Sequence, residues 1–106
     1  MVKIGKKEKN DQLYKAILQL QDEQECYDFF QDLCTVSELR SMEQRFDVAV
    51  YLQQGLVYLD ILEKTGASSA TISRVRRSML ENGAGGVVQS IIIREGLGEP
   101  KADPEP

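Results

Sequence analysis

The chain reads as an all-α protein, and three observations lead there. From Leu13 to Leu80 apolar residues recur at spacings of three and four among charged ones, the period of helices that each bury one face. Only one glycine, Gly55, interrupts that run before Gly66. Helix-start signals stand where the pattern restarts: Asp22 ahead of one stripe, and Thr35-Val36-Ser37-Glu38, a capping-box sequence, ahead of another. At 106 residues and 42% apolar content there is room for one small helical core and no second large domain.

The elements follow in order. A first helix starts after Asn10 or Asp11 and uses Leu13, Ile17 and Leu20. Asp22 opens a second, where Cys26, Phe29, Phe30 and Leu33 share one side and the acids take the other; the aromatics read as core. The capping box opens the longest helix, which carries Leu39, Met42, Phe46, Ala49, Val50 and Leu52 and stops at Gly55. The glycine-rich stretch Asn82-Gly83-Ala84-Gly85-Gly86 ends a fifth helix. Val87 to Ile93 is a last apolar segment, helical by context although Ile91-Ile92-Ile93 alone favours a strand.

Between them lies Leu59 to Leu80, LDILEKTGASSATISRVRRSML, which reads as two short helices joined by a glycine turn. Leu59, Ile61 and Leu62 supply apolar positions of the first, Gly66 offers the left-handed conformation that ends it, and Ser68 or Ser69 caps the second. In that second helix Ile72, Val75 and Met79 share a buried face, leaving Ser69, Ala70, Ser73, Arg76 and Arg77 largely outside it. Small residues at a helix start let the backbone approach base edges, and arginines within two turns reach guanine edges or phosphate oxygens. This is the pattern of a helix-turn-helix at 58–81 that reads double-stranded DNA, although amphipathic helix pairs around a glycine also occur in bundles that never touch DNA.

Charge is segregated. The net charge is −4, yet from Gly66 to Arg94 four arginines face only Glu81, while from Gln12 to Val36 five acids face one base, Lys15. Residues 1–10 form a flexible basic arm with four lysines, 11–94 the helical domain, and 95–106 an acidic tail that holds all three prolines and is expected to be disordered. The chain has no histidine and only two cysteines, so a zinc site lacks ligands and a histidine general base is excluded. Cys26 and Cys34 would stand about 12 Å apart along one helix, too far for a disulfide. No segment has the roughly 20 apolar residues of a membrane span, and the lysine-rich start lacks a signal peptide's apolar stretch, which points to the cytoplasm. So many apolar faces on short helices predict a two-fold homodimer.

TVSELRSMEQRFDVAVYLQQG followed by EKTGASSATISRV resembles the Trp-repressor superfamily, and more closely its YerC/YecD-type Trp-repressor-like family. The resemblance runs from about Leu13 to Ile93 and is most specific at Thr65-Gly66-Ala67-Ser68 and Ala70-Thr71-Ile72-Ser73-Arg74. It implies an intertwined all-helical dimer of six helices per subunit, with the fourth and fifth as the DNA-reading unit. The repressor's operator-facing positions fall on Ser69, Ala70 and Ser73. Its relatives carry basic side chains on the first helix of that unit, where this chain has Leu59, Asp60, Leu62 and Glu63 and only Lys64 is basic. The resemblance also implies a tryptophan pocket, whose places are occupied here by Thr35, Arg45, Arg74 and Ser78. Two guanidinium planes can sandwich an aromatic ring, and one can bind a carboxylate. The next position, a glycine in the repressor, is Val75, whose methyl groups compete with an indole for space. L-tryptophan, a different small ligand, or none therefore stay open, and no other cofactor is indicated.

The sequence thus predicts a homodimeric DNA-binding transcriptional regulator, a repressor, gated by a small ligand where one is bound. Its interface is expected from Lys64, Ser68, Ser69, Ala70, Ser73, Arg76 and Arg77. The alternative is a helical interaction module that keeps the fold without DNA contact. An enzyme lacks its parts: no metal cluster, phosphate loop, or nucleophile beside a base is found.

Overall fold

The computed structural model describes residues 8–81 and 85–99, and among them six α-helices and no strand. Most of the expected basic arm, the 82–84 link and the tail from Pro100 onward lie outside the described residues. The helices are α1 Asp11–Ile17, α2 Glu23–Leu33, α3 Val36–Gln53, α4 Tyr58–Thr65, α5 Ser69–Glu81 and α6 Gly85–Arg94. The chain divides into two compact units between Leu39 and Arg40, inside α3.

Caps delimit the first unit. Asn10 Oδ1 accepts a hydrogen bond from the Leu13 amide and Asp22 Oδ1 one from the Glu25 amide, each satisfying an amide that the helix itself leaves free. Thr35 and Glu38 close a reciprocal box: the Glu38 amide donates to Thr35 Oγ1 at 3.0 Å and the Thr35 amide to Glu38 Oε1 at 2.9 Å. α1 is shorter than its apolar spacing suggests. Its last turn tightens through Gln19 N–H to Ala16 O and Leu20 N–H to Ile17 O, so Leu20 falls in the turn beyond it. In α2 the half-buried Phe29 and Phe30 meet edge to face, ring centres 5.2 Å apart, beside half-buried Cys26; both cysteines are free thiols.

The second unit is built on Val48, Ile61, Ala67 and Ile72, all essentially inaccessible to solvent. They come from α3, α4, the following turn and α5, so the helix-turn-helix is welded to the long helix by its own core. Tyr51, Leu52, Leu56, Tyr58, Leu62 and Val75 pack around them. Each fully buried isoleucine contributes roughly 1.5–3 kcal/mol relative to an exposed one.

α3 and α6 each end in a Schellman arrangement. Gly55 N–H bonds to Leu52 O and Leu56 N–H to Tyr51 O; Gly96 N–H bonds to Ile93 O and Leu97 N–H to Ile92 O. Gln54 Nε2 then donates to Leu97 O at 2.8 Å, holding the end of α6 to the end of α3. Residues 95–97 therefore form the C-terminal cap of α6, just beyond its last helical residue Arg94. Gly85 and Gly86, read as the stop of the fifth helix, form the first turn of α6. A first turn lacks intrahelical amide partners in any case, and α6 packs along α5, which overrides both the glycines and the β-branched Ile91-Ile92-Ile93.

Candidate nucleic-acid interface

The turn between α4 and α5 is over-determined. Gly66 sits at φ +73°, and its amide bonds to Leu62 O at 2.8 Å, closing α4 in the left-handed conformation that a side chain disfavours. Thr65 Oγ1 donates to Ile61 O at 2.7 Å and accepts from the Ala67 amide at 3.0 Å. From α3, Gln44 Nε2 donates to Thr65 O at 3.0 Å. Ala67 is fully buried where the two helices meet. A methyl group added at Gly66 would meet nothing nearer than the Gln44 side-chain amide at 4.0 Å, so Gly66→Ala meets only a torsional cost, about 1–2 kcal/mol, which urea unfolding would measure.

Ser68 is the cap of α5. Its Oγ accepts from the Thr71 amide at 3.1 Å and its carbonyl from the Ile72 amide, which leaves Ser69 as the first residue of the helix. Ser69, Ser73 and Arg77, four residues apart, run along one side of α5 with Ala70 beside them. Ser69, Ala70 and Arg77 are exposed. Ser73 is half-buried, its Oγ 3.0 Å from the hydroxyl of Tyr58 on α4. Lys64 is exposed in the last turn of α4. Arg76 belongs to the row of Ile72 and Leu80 and lines a small cleft of about 210 Å³ with Leu52, Gln53 and Gln89, whose amides bond to each other at 2.8 Å. The structure thus sets Ser69, Ala70, Ser73 and Arg77 in one row, while Arg76, also exposed, lies off that row at the border of the small cleft. Leu59, counted among the apolar positions of the first helix, is 75% exposed; the inward face of α4 is carried by Ile61 and Leu62.

On another side of α5 a groove of about 510 Å³ runs between α3, α5 and α6. Arg45, Arg74 and Ser78 line it with Met42, Phe46, Ala49, Val75, Met79 and Val88. Three of the four residues expected at a ligand pocket therefore share one groove, and Val75 forms part of its wall. Thr35 lies in the other unit, where its hydroxyl is engaged in capping α3. The volume falls in the range of small-molecule sites, about 300–1,000 Å³. Its lining of mainly apolar walls with two guanidinium groups and one hydroxyl suits an apolar body bearing an anionic group. Among the described residues no group of three or more His, Cys, Asp or Glu could hold a metal ion, and no helix is long and apolar enough to cross a membrane.

Two features of this site were not foreseen from the sequence: the Tyr58–Ser73 bond and the Gln44 brace on the turn. Each joins residues far apart along the chain, where periodicity carries no signal.

Six helices among the described residues, the fourth and fifth forming a helix-turn-helix with a small-residue face and a groove alongside, define a helix-turn-helix fold. The profile of the Trp repressor protein family matches residues 8–92, and the chain belongs to that family. Over 69 residues it is 54% identical to the uncharacterized protein YerC of Bacillus subtilis (strain 168), a match that spans 65% of this chain and 66% of that protein, just under two thirds of the relative's length. The crystal structure of a TrpR-like protein from Eubacterium eligens ATCC 27750 superposes with a TM-score of 0.76 at 51% identity, covering 81% of this chain and 87% of that one. A candidate Trp repressor from Staphylococcus aureus matches with a TM-score of 0.75 at 46% identity, covering 82% and 85%. The all-α fold and the likeness drawn from the TGAS and ATISR motifs agree with these relatives.

Proposed function

We propose that the chain is a sequence-specific, double-stranded-DNA-binding transcriptional regulator, a repressor, that acts as a homodimer in the cytoplasm or nucleoid. The observation that carries this reading is the exposed face of α5, where Ser69, Ala70, Ser73 and Arg77 stand together on a helix held rigidly by the turn before it. Small side chains there admit direct or water-bridged approach to base edges, while Arg77 and Lys64 are placed for phosphates. Ser68, whose side chain already caps α5, contributes at the helix start, where free amides favour a phosphate. Arg76, exposed at the border of the small cleft, is the lesser contact because it lies off the row of Ser69, Ser73 and Arg77.

Dimerisation is supported by large apolar side chains that one chain leaves in water. Leu18, Leu33 and Val36 in the first unit and Leu80, Val87 and Ile93 in the second are all more than half exposed. A second copy would cover them and set two reading helices about one helical turn of DNA apart.

The groove is the effector site of this reading. Arg45 or Arg74 takes a carboxylate, Ser78 adds a hydrogen bond, and the apolar walls hold the ligand's body. L-tryptophan is a weak ligand because Val75 narrows the slot. Val75→Gly is expected to tighten tryptophan binding at least about fivefold in calorimetric titration, since the strain of extra methyl groups in a tight slot is worth about 1–3 kcal/mol. Equal affinities in parent and variant would remove Val75 as the discriminating residue.

One observation favours a different reading, a helical interaction module without DNA contact: α4 presents Leu59, Asp60 and Glu63 outward, with Lys64 as its one base. Selection from a randomised duplex pool separates the two. The regulator enriches a two-fold-symmetric site and loses it when Ser73 and Arg77 are both replaced by alanine; the interaction module enriches nothing.

A further inference from the structure

Tyr58 opens α4 and Ser73 stands in the second turn of α5, and their hydroxyl oxygens are 3.0 Å apart in a part-buried setting. The ring of Tyr58 packs against the Val48, Ile61, Ala67 and Ile72 core, so it is anchored from behind. Ser73 shares its row with Ser69 and Arg77, whose side chains are open to solvent. It differs from them in having its hydroxyl engaged.

A free serine hydroxyl rotates and serves as donor or acceptor, so at a base edge it accepts many partners and discriminates poorly. A fixed partner removes that freedom. Geometry alone allows either oxygen to donate. A phenol O–H is more polarised than an aliphatic one and is therefore the better donor toward an aliphatic oxygen. With the Tyr58 proton on Ser73 Oγ, the serine's own proton is left to point away from α4. Outward it meets acceptors such as guanine O6 and N7, adenine N7 or thymine O4, while the amino groups of cytosine or adenine find one of the oxygen's two lone pairs already taken.

We propose that Tyr58 is a specificity-positioning residue. Its hydroxyl donates to Ser73 Oγ, occupies one of that oxygen's two lone pairs and so favours donation by Ser73 to a major-groove acceptor, and α5 thereby discriminates at one base pair per half-site. The proposal rests on the DNA-reading assignment of α5. Tyr58 touches no base itself and acts through Ser73, while its ring serves the core.

The test uses the full chain and its Tyr58→Phe, Ser73→Ala and double variants, each selected against the same randomised duplex pool and titrated on the parent's best duplex and on its single-base-pair variants. Phenylalanine keeps the packed ring, so the expected change is one of preference and not of fold. At the base pair where Ser73→Ala loses discrimination, Tyr58→Phe loses it too, by at least fivefold. The salt dependence of binding is unchanged in both, and the double variant discriminates no worse than Ser73→Ala alone. Ser73→Thr, which keeps a hydroxyl, retains the preference. Tyr58→Phe with the parent's preference intact overturns the proposal, as does a uniform loss across all duplexes or additive losses in the double variant. A parent that enriches no duplex overturns it together with the DNA-reading assignment, which distinguishes that failure from the others.

Discussion

Replacing Ile72 by alanine is expected to cost about 2–5 kcal/mol of folding stability and to abolish duplex binding. Ile72 is completely buried, and its side chain meets Val48 from α3, Ile61 from α4 and Ala67 from the turn. Three elements surround the position, so the cavity left by the missing carbons cannot collapse without moving one of them. A domain of this size is stable by only about 5–15 kcal/mol, so the loss is a large share of the total. Urea unfolding followed by circular dichroism measures it. Leu59→Ala is the internal contrast: Leu59 is exposed and belongs to no core contact, so its removal should change stability by no more than about 0.5 kcal/mol. Similar losses at both positions would contradict the assignment of Ile72 as the residue that fastens the reading helix to α3.

The second large effect is expected at Arg77. Its replacement by alanine should weaken duplex binding roughly 100-fold, because a dimer loses two charge-assisted hydrogen bonds of about 1.5 kcal/mol each. The slope of log affinity against log salt should become shallower by about 1.8, or 0.9 for each phosphate contact. Both arginines are exposed, but Arg77 continues the row of Ser69 and Ser73, whereas Arg76 lies off it at the border of the small cleft. Arg76→Ala should therefore cost clearly less than Arg77→Ala. Binding isotherms of the two variants at several salt concentrations give both quantities. An unchanged slope for Arg77→Ala, or a larger loss for Arg76→Ala, would reverse the roles of the neighbouring arginines.

The features legible in the sequence are the local ones. Asn10, Asp22 and the Thr35-Glu38 box cap their helices as their residue types imply, because each bond spans three residues and needs no tertiary partner. Gly55 and Gly66 end helices for the same kind of reason. Whether Ser68 or Ser69 capped α5 stayed open in the sequence, since both have the required hydroxyl; the Thr71 amide selects Ser68. Leu59 is apolar yet faces outward, because Ile61, the buried residue of α4, is two residues on, about 200° around the helix. Arg76 and Arg77 could have been separated by the same rule, because Arg76 follows Ile72 by one helical turn and Arg77 follows Ser73. The start of α6 at Gly85 and the helical state of Ile91-Ile92-Ile93 ran against intrinsic preference, and packing along α5 decides them. The grouping of Arg45 with Arg74 and Ser78 was reached through family resemblance, and the Tyr58–Ser73 and Gln44–Thr65 bonds were not reached at all, because contacts between distant residues leave no periodic trace.

The measurement that tests the DNA-reading claim most directly is fluorescence anisotropy of a labelled two-fold-symmetric duplex, taken from the selected pool, titrated with the full chain at low and moderate salt. Saturable binding that exceeds the affinity for a scrambled duplex by at least about 10³-fold at moderate salt, and that weakens steeply as salt rises, is the predicted result. Absence of binding to any duplex at low salt would contradict it, and would leave the exposed faces of α4 and α5 to a protein partner.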